Sequence, residues 1–380
     1  MNLERIVALV GRRDEPTDGV VDYCFWLGGA IKAHGYQLET VRVPWAELGW
    51  QAALAEIRQK SAAWRDRWVL LQFTNLAWSR RGFPWHTPQI LKALQENRVR
   101  CGIVFHDFAP LTGRRLIDRA RQYCQLRVLQ SLYEQAACAI FPVPLEMISW
   151  LPPRHEKAVF IPVGANCPEP SPDPQDQAHR AKTIAIYSVT GGAHMRREIA
   201  DIGVAVKRAC QRAGPLRLVV FGRGSTEADS ALRAEFAGTD VDVQTLGLLT
   251  PENASLALVR ADVQLFVRGQ ISSRRGSAIA GIACGLPVVC YEGPETGWPI
   301  TEAGILSVPL GDTQGLSVAL ERILTDETLR VSLAGRSRFA RAQYFSWPAI
   351  AAQFSACLRK PIEADNRAAA LQSASSARTR

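Results

Sequence analysis

Residues 272–289 read SSRRGSAIAGIACGLPVV. The stretch opens with hydroxyls, two arginines and a glycine, continues through an uncharged run at 278–284, and closes on Gly285-Leu286-Pro287 and a valine pair. Polar loop, apolar helix, Gly/Pro turn and buried β-branched strand follow in that order. A helix that begins behind such a loop aims its free N–H groups and positive dipole end at the place where Arg274, Arg275, Gly276 and Ser277 converge. That combination suits a pyrophosphate. The competing reading is a solvated basic turn whose serine caps the helix, although capping needs no Arg-Arg pair beside it.

Outward from this unit the same alternation extends over most of the chain. After it, 305–308 reads as a strand; before it, 183–189, 216–221, 241–246 and 263–267 do, with 287–291 belonging to the unit itself. In the first half, 6–10, 36–43, 68–73, 99–106 and 137–141 read as buried strands. Helical spacing marks 27–34, 50–64, 87–96 and 114–132 between them. Strands alternating with helices imply parallel sheets covered on both faces, an α/β class. Residues 168–177, PEPSPDPQDQ, lack any large apolar side chain and mark a boundary. The expected organisation is a Rossmann-like domain over 1–165, a linker over 166–182, and a second Rossmann-like domain over 183–345. A helix over 346–360 and a disordered tail over 361–380 complete it.

Composition agrees with two ordinary domains: 380 residues, 47% hydrophobic and 21% charged. The formal charge of +9 favours anionic partners. Nucleic acid is disfavoured, because neither a base-reading basic helix nor an aromatic-studded sheet motif is present. Nine cysteines without a C-x-x-C pair suggest neither a zinc site nor a disulfide framework, and a reducing cytoplasm is the simplest home. No apolar run approaches the roughly 20 residues that span a bilayer, so membrane contact is expected to be peripheral.

In open α/β sheets ligands bind beyond the carboxyl ends of strands. Three further loops qualify. Phe105-His106-Asp107 ends a strand, and His106 there is placed to hydrogen-bond a sugar hydroxyl, with Asp107 orienting it; the plainer reading is a loop-holding pair. Gly222-Arg223-Gly224 follows a strand and precedes a helix, which suits a phosphate as well as it suits a tight turn. The polar loop of residues 11–22 follows the first strand, with Gly19 near the start of the helix that carries Trp26 to Ala33; a plain connection suits its residues equally well.

Ala283-Cys284-Gly285-Leu286-Pro287-Val288-Val289 resembles the group 1 family of retaining glycosyltransferases. So do residues 258–263, Glu302-Ala303-Gly304, Leu310-Gly311-Asp312, residues 326–333 and Phe345-Ser346-Trp347. Together they span most of 183–358. The first half is similar more faintly, through Gly19, residues 105–107 and residues 160–164. The resemblance implies a GT-B architecture: two facing Rossmann-like domains with parallel sheets, the nucleotide sugar mainly on the second and the acceptor on the first, with the last helix crossing back. Position by position it implies that His106 lies near the transferred sugar and Gly19 near the phosphates. It also puts Gly222 and Arg223 opposite the diphosphate, Gly276 and Ser277 on its oxygens, and Leu248 beside the nucleobase. The chain departs from the family at its paired glutamates, whose positions hold Ser272 and Ala280; Arg274 and Arg275 are the substitutes for phosphate binding.

The function so implied is a metal-independent, retaining transfer of a sugar from a nucleoside-diphosphate sugar, the co-substrate, with no cofactor. A saccharide or lipid-linked acceptor and a role in cell-surface polysaccharide, glycolipid or glycoconjugate synthesis go with it. The alternative is a catalytically silent GT-B protein that binds a nucleotide sugar or a protein partner. Residues 1–165 carry 21 Lys+Arg against 15 Asp+Glu, the remainder 24 against 21. Five arginines lie between 114 and 127, interleaved with apolar residues, so an anionic membrane surface at the inner face of the membrane is an expected further partner. A solvated helix face is the plainer reading. Trp78 and Trp85 are candidates for stacking on an acceptor sugar or for the core.

Overall fold

A computed structural model of the chain describes residues 3–15, 17–168 and 181–359. The tail at 361–380 and most of the linker lie outside these residues. The first half forms a six-stranded sheet of β1 (Glu4–Val10), β2 (Tyr36–Arg42), β3 (Trp68–Phe73), β4 (Arg100–Phe105), β5 (Cys138–Phe141) and β6 (Ala158–Phe160), in the order β2-β1-β3-β4-β5-β6. The second sheet holds β7 (Lys182–Tyr187), β8 (Leu216–Phe221), β9 (Val241–Gly247), β10 (Val263–Gln270), β11 (Val288–Glu292) and β12 (Ile305–Pro309), in the order β12-β11-β10-β7-β8-β9. Every pairing is parallel. Each sheet carries a buried apolar cluster on each face, as the continuous Val/Ile/Leu runs require.

Three differences from the sequence reading have local causes. β6 is only three residues long and half-buried at a sheet edge, too short for a period to show. The strand expected over 99–106 stops at Phe105, which leaves His106 in the loop beyond it. The first helix runs over Gly19–Ile31, starting at Gly19 as its place in the loop suggests but ahead of the helical spacing at 27–34, because Asp18 Oδ1 accepts from Val20 N and Val21 N at 3.2 Å each and caps it.

The helix Trp347–Arg359 packs in the core of the first half, with Trp347, Ile350 and Phe354 beside Tyr23 and Leu27. Trp68 Nε1 donates to Leu358 O at 3.1 Å, and Trp347 Nε1 donates to Ala165 O at 2.6 Å. Cys357 on this helix forms a disulfide with Cys138 on β5, 219 positions away. Reading the cysteines by spacing suggested no disulfide. Spacing cannot reveal a pair that only tertiary packing brings together. Among the described residues no helix is long and apolar enough to cross a membrane.

Candidate functional site

A cleft of about 810 Å³ lies between the two halves, at the carboxyl ends of β1, β7, β8 and β10. Gly19, Gly222, Arg223, Leu248, Arg274, Arg275, Gly276 and Ser277 all line it. His106 is not among the lining residues.

The floor is set by the turn after β8. Gly222 has φ +87°, and a Cβ there would sit 2.7 Å from Ser188 Oγ and 2.9 Å from the Tyr187 ring. Only glycine brings the two strand ends this close. Gly224, also at positive φ, then starts the helix Ser225–Glu235. Arg223, between the two glycines, reaches across the cleft. Its Nη1 donates to Asp14 Oδ2 at 2.9 Å and its Nη2 to Thr17 Oγ1 at 2.8 Å, both in the loop after β1. The same loop is held by Arg42, whose Nη1 donates to Gly11 O at 2.6 Å and whose guanidinium lies 3.7 Å from Asp18.

The opposite wall is the loop 272–275 and the helix Gly276–Ala283. Arg274 forms a two-pronged pair with Glu295, at 2.8 and 2.9 Å. Among the described residues Arg275 has no such hydrogen-bonded partner: its Nε is buried without a hydrogen bond, and burial and then Arg274, against the opposing Glu295, push its pKa below the ordinary guanidinium range. Arg268 is lowered as well, chiefly by burial, with Glu198 opposing and Arg223 adding to the shift. It stands on a stretch of β10 where the register with β11 breaks between Phe266 and Gln270 and Gly269 has φ +76°. This bulge carries the strand's last residues to the cleft. Two half-buried guanidinium groups beside a helix N-terminus suit this wall to an anion.

His106 lies in the loop after β4, outside the cleft lining. Its Nε2 is 2.9 Å from Gln72 Oε1 and its ring meets Tyr23 edge-on at 5.0 Å. Burial pushes its pKa down to about 4, so it is neutral at pH 7. Asp107 does not orient it: Asp107 Oδ2 accepts from Asn75 N at 2.8 Å and braces the loop after β3. Trp78 is fully buried, whereas Trp85 is half exposed. On the helix Leu116–Gln135, Leu116, Ile117 and Tyr123 face solvent, and Arg121 is committed to Asp118 at 2.7 Å and to Arg81 O at 2.9 Å.

Sequence reasoning singled out the loop that holds Asp14, Thr17 and Asp22 without naming those residues, and it missed Tyr187, Ser188, Arg268 and Glu295. Tyr187-Ser188 had a signal, since it ends a recognisable strand. Arg268 had none, because its strand reads as ending at 267.

No protein-family model matches the chain, and no curated protein sequence matches it. Solved structures do resemble it. HepE from Anabaena, in complex with UDP-glucose, is 14% identical, with 93% of this chain and 99% of that one covered and a TM-score of 0.64. Sucrose-phosphate synthase from Thermosynechococcus elongatus is 18% identical over 94% of this chain and 98% of that one, with a TM-score of 0.67. WaaG, a glycosyltransferase involved in lipopolysaccharide biosynthesis, is 11% identical over 94% of this chain and all of that one, with a TM-score of 0.63. The chain therefore has the GT-B fold, two parallel α/β domains that share a ligand-sized cleft at the carboxyl edges of their sheets.

Proposed function

We propose that the protein is a glycosyltransferase that moves a sugar from a nucleoside-diphosphate sugar to a saccharide or lipid-linked acceptor. The observation that carries this reading is the cationic wall: Arg275, whose Nε has no hydrogen-bond partner among the described residues, Arg268, and the open N-terminus of the helix Gly276–Ala283, all in one cleft. A diphosphate supplies the missing negative charge. The UDP-glucose held by HepE, a protein of the same fold, supports the choice of ligand.

In the proposed reaction the bond between the anomeric carbon and a diphosphate oxygen breaks, leaving positive charge on the sugar and negative charge on the leaving group. Arg275, Arg268 and the helix dipole stabilise that negative charge in the role that a divalent ion otherwise fills. Gly19 and Gly222 let backbone approach the diphosphate, Arg223 and Arg274 flank it, Ser277 and Gly276 donate N–H groups, and Leu248 at the rim meets the base. The acceptor hydroxyl attacks the anomeric carbon, and its proton passes to the departing phosphate oxygen. Neutral His106 acts as a hydrogen-bond donor to the sugar and not as a base, after exchanging Gln72 for a sugar hydroxyl. Retention of configuration rests on the family resemblance carried by residues 283–289 and the stretches around them.

A thermal-shift screen against nucleoside diphosphates and their sugars tests the ligand, since a specific ligand raises the melting temperature by mass action. Proton NMR of the transferred sugar tests retention: an inverted anomeric centre refutes it. The exposed Leu116, Ile117 and Tyr123 beside Arg114, Arg115 and Arg119 support peripheral contact with an anionic membrane from the cytoplasmic side. Co-sedimentation with vesicles should then require anionic lipid and fall with salt; indifference to both refutes it. The second reading, a silent binder, is favoured by Arg223 being held by Asp14 and Thr17 and by the absence of carboxylates at Ser272 and Ala280. Nucleotide-sugar binding with neither hydrolysis nor transfer selects it.

A further inference from the structure

Arg274 and Arg275 are adjacent in sequence and differ in circumstance. The Arg274 fork is filled: Nε donates to Glu295 Oε2 and Nη2 to Glu295 Oε1, and its guanidinium lies 5.4 Å from the ring centre of Phe108, in the loop after β4 of the first domain. Glu295 is itself braced. Its N–H donates to Gln270 Oε1 at 3.0 Å, Ser272 Oγ donates to its Oε2 at 3.3 Å, and Thr296 Oγ1 donates to Ile271 O at 2.7 Å. Burial alone would raise the Glu295 carboxyl, but Arg274 and then Arg275 hold it below the ordinary range. The neighbouring Ser273 ties the same loop to the first domain twice, through its Oγ to Pro142 O at 2.6 Å and its carbonyl to Val163 N at 2.9 Å. A guanidinium whose two-pronged face is occupied by a carboxylate has little of its strong geometry left for a phosphate, whereas that of Arg275, with no hydrogen-bond partner among the described residues, keeps its terminal donors.

We propose that Glu295 is a positioning residue: by clamping Arg274 against Phe108 it fixes the loop that bridges the two domains, and it leaves Arg275 as the member of the pair that binds the diphosphate. The inference rests on the glycosyl-transfer reading only where turnover is measured.

The test uses the full chain, calorimetry with inorganic pyrophosphate, and turnover of the nucleotide sugar found by the thermal-shift screen. Arg275→Ala should lose at least tenfold in pyrophosphate affinity, and Arg274→Ala and Glu295→Gln less than threefold. Turnover should fall at least tenfold in all three, and Glu295→Asp should recover part of it. The double variant Arg274→Ala/Glu295→Ala should be no worse than Arg274→Ala alone, because the two side chains act as one unit. Thermal unfolding checks that each variant folds, and the isosteric Glu295→Gln decides if an alanine variant does not. Equal losses of pyrophosphate affinity in Arg274→Ala and Arg275→Ala overturn the assignment, as does undiminished turnover in Glu295→Gln. A wild type that binds pyrophosphate without turnover refutes the transferase reading alone, and the affinity comparison still decides the role of Arg274. A wild type that does not bind pyrophosphate refutes both.

Discussion

At the residue scale the site depends on a few backbone and burial conditions. Gly222→Ala places a Cβ against Ser188 Oγ and the Tyr187 ring at a positive φ. It should lower stability by about 1–3 kcal/mol, read by urea denaturation, and weaken pyrophosphate binding with it. His106 gives a pH signature. Its folded pKa of about 4 lies below the ordinary 6.5, so between those values the unfolded chain binds the extra proton. Stability from this group is therefore complete above pH 6.5 and falls as pH drops toward 4, by roughly 3 kcal/mol if the whole shift is expressed. His106→Gln should flatten that slope. An unchanged slope would assign acid sensitivity to other groups.

At the element scale, two connections decide how the helices sit. Asp18 caps the helix Gly19–Ile31 and pairs with Arg42. Asp18→Ala should cost about 1 kcal/mol and loosen the loop after β1, measurable as faster hydrogen exchange at 11–21. The disulfide Cys138–Cys357 pins the helix Trp347–Arg359 to β5. Closing a loop of that length stabilises by roughly 2–5 kcal/mol, so Cys357→Ser, or reductant on the wild type, should lower the melting temperature by several degrees. Reductant without effect on the wild type would show that the thiols are not joined. The strands themselves were legible from their runs of β-branched residues. β6 and the bulged end of β10 were not, the one because three residues carry no period, the other because a bulge interrupts it.

At the scale of the whole molecule, each half has its own two-faced core, with the helix Trp347–Arg359 built into that of the first, and the contacts that cross beside the cleft include Arg223 with Asp14 and Thr17, Arg274 with Phe108, Ser273 with Pro142 and Val163, and Phe160 with Trp298. The Arg223–Asp14 pair is largely exposed, so Asp14→Ala should leave the melting temperature nearly unchanged. Freed from its carboxylate, Arg223 should then raise pyrophosphate affinity by about threefold, roughly the strength of one exposed pair. Calorimetry on Asp14→Ala checks this, and a loss of affinity would mean that the contact organises the cleft instead of competing for it.

The sequence by itself determined that two parallel α/β layers form and that the loops at 19, 222–223, 248 and 274–277 lie beyond strand ends. Periodicity and turn chemistry act over a few residues, and a parallel sheet places all such loops along one edge. Only the tertiary structure decided which of these residues are free to bind. Glu295 fills Arg274 from 21 positions away, Asp14 holds Arg223 across the cleft, and the β10 bulge delivers Arg268. These partners meet because two separately folded cores pack together, and the availability of a charge depends on what packing places beside it.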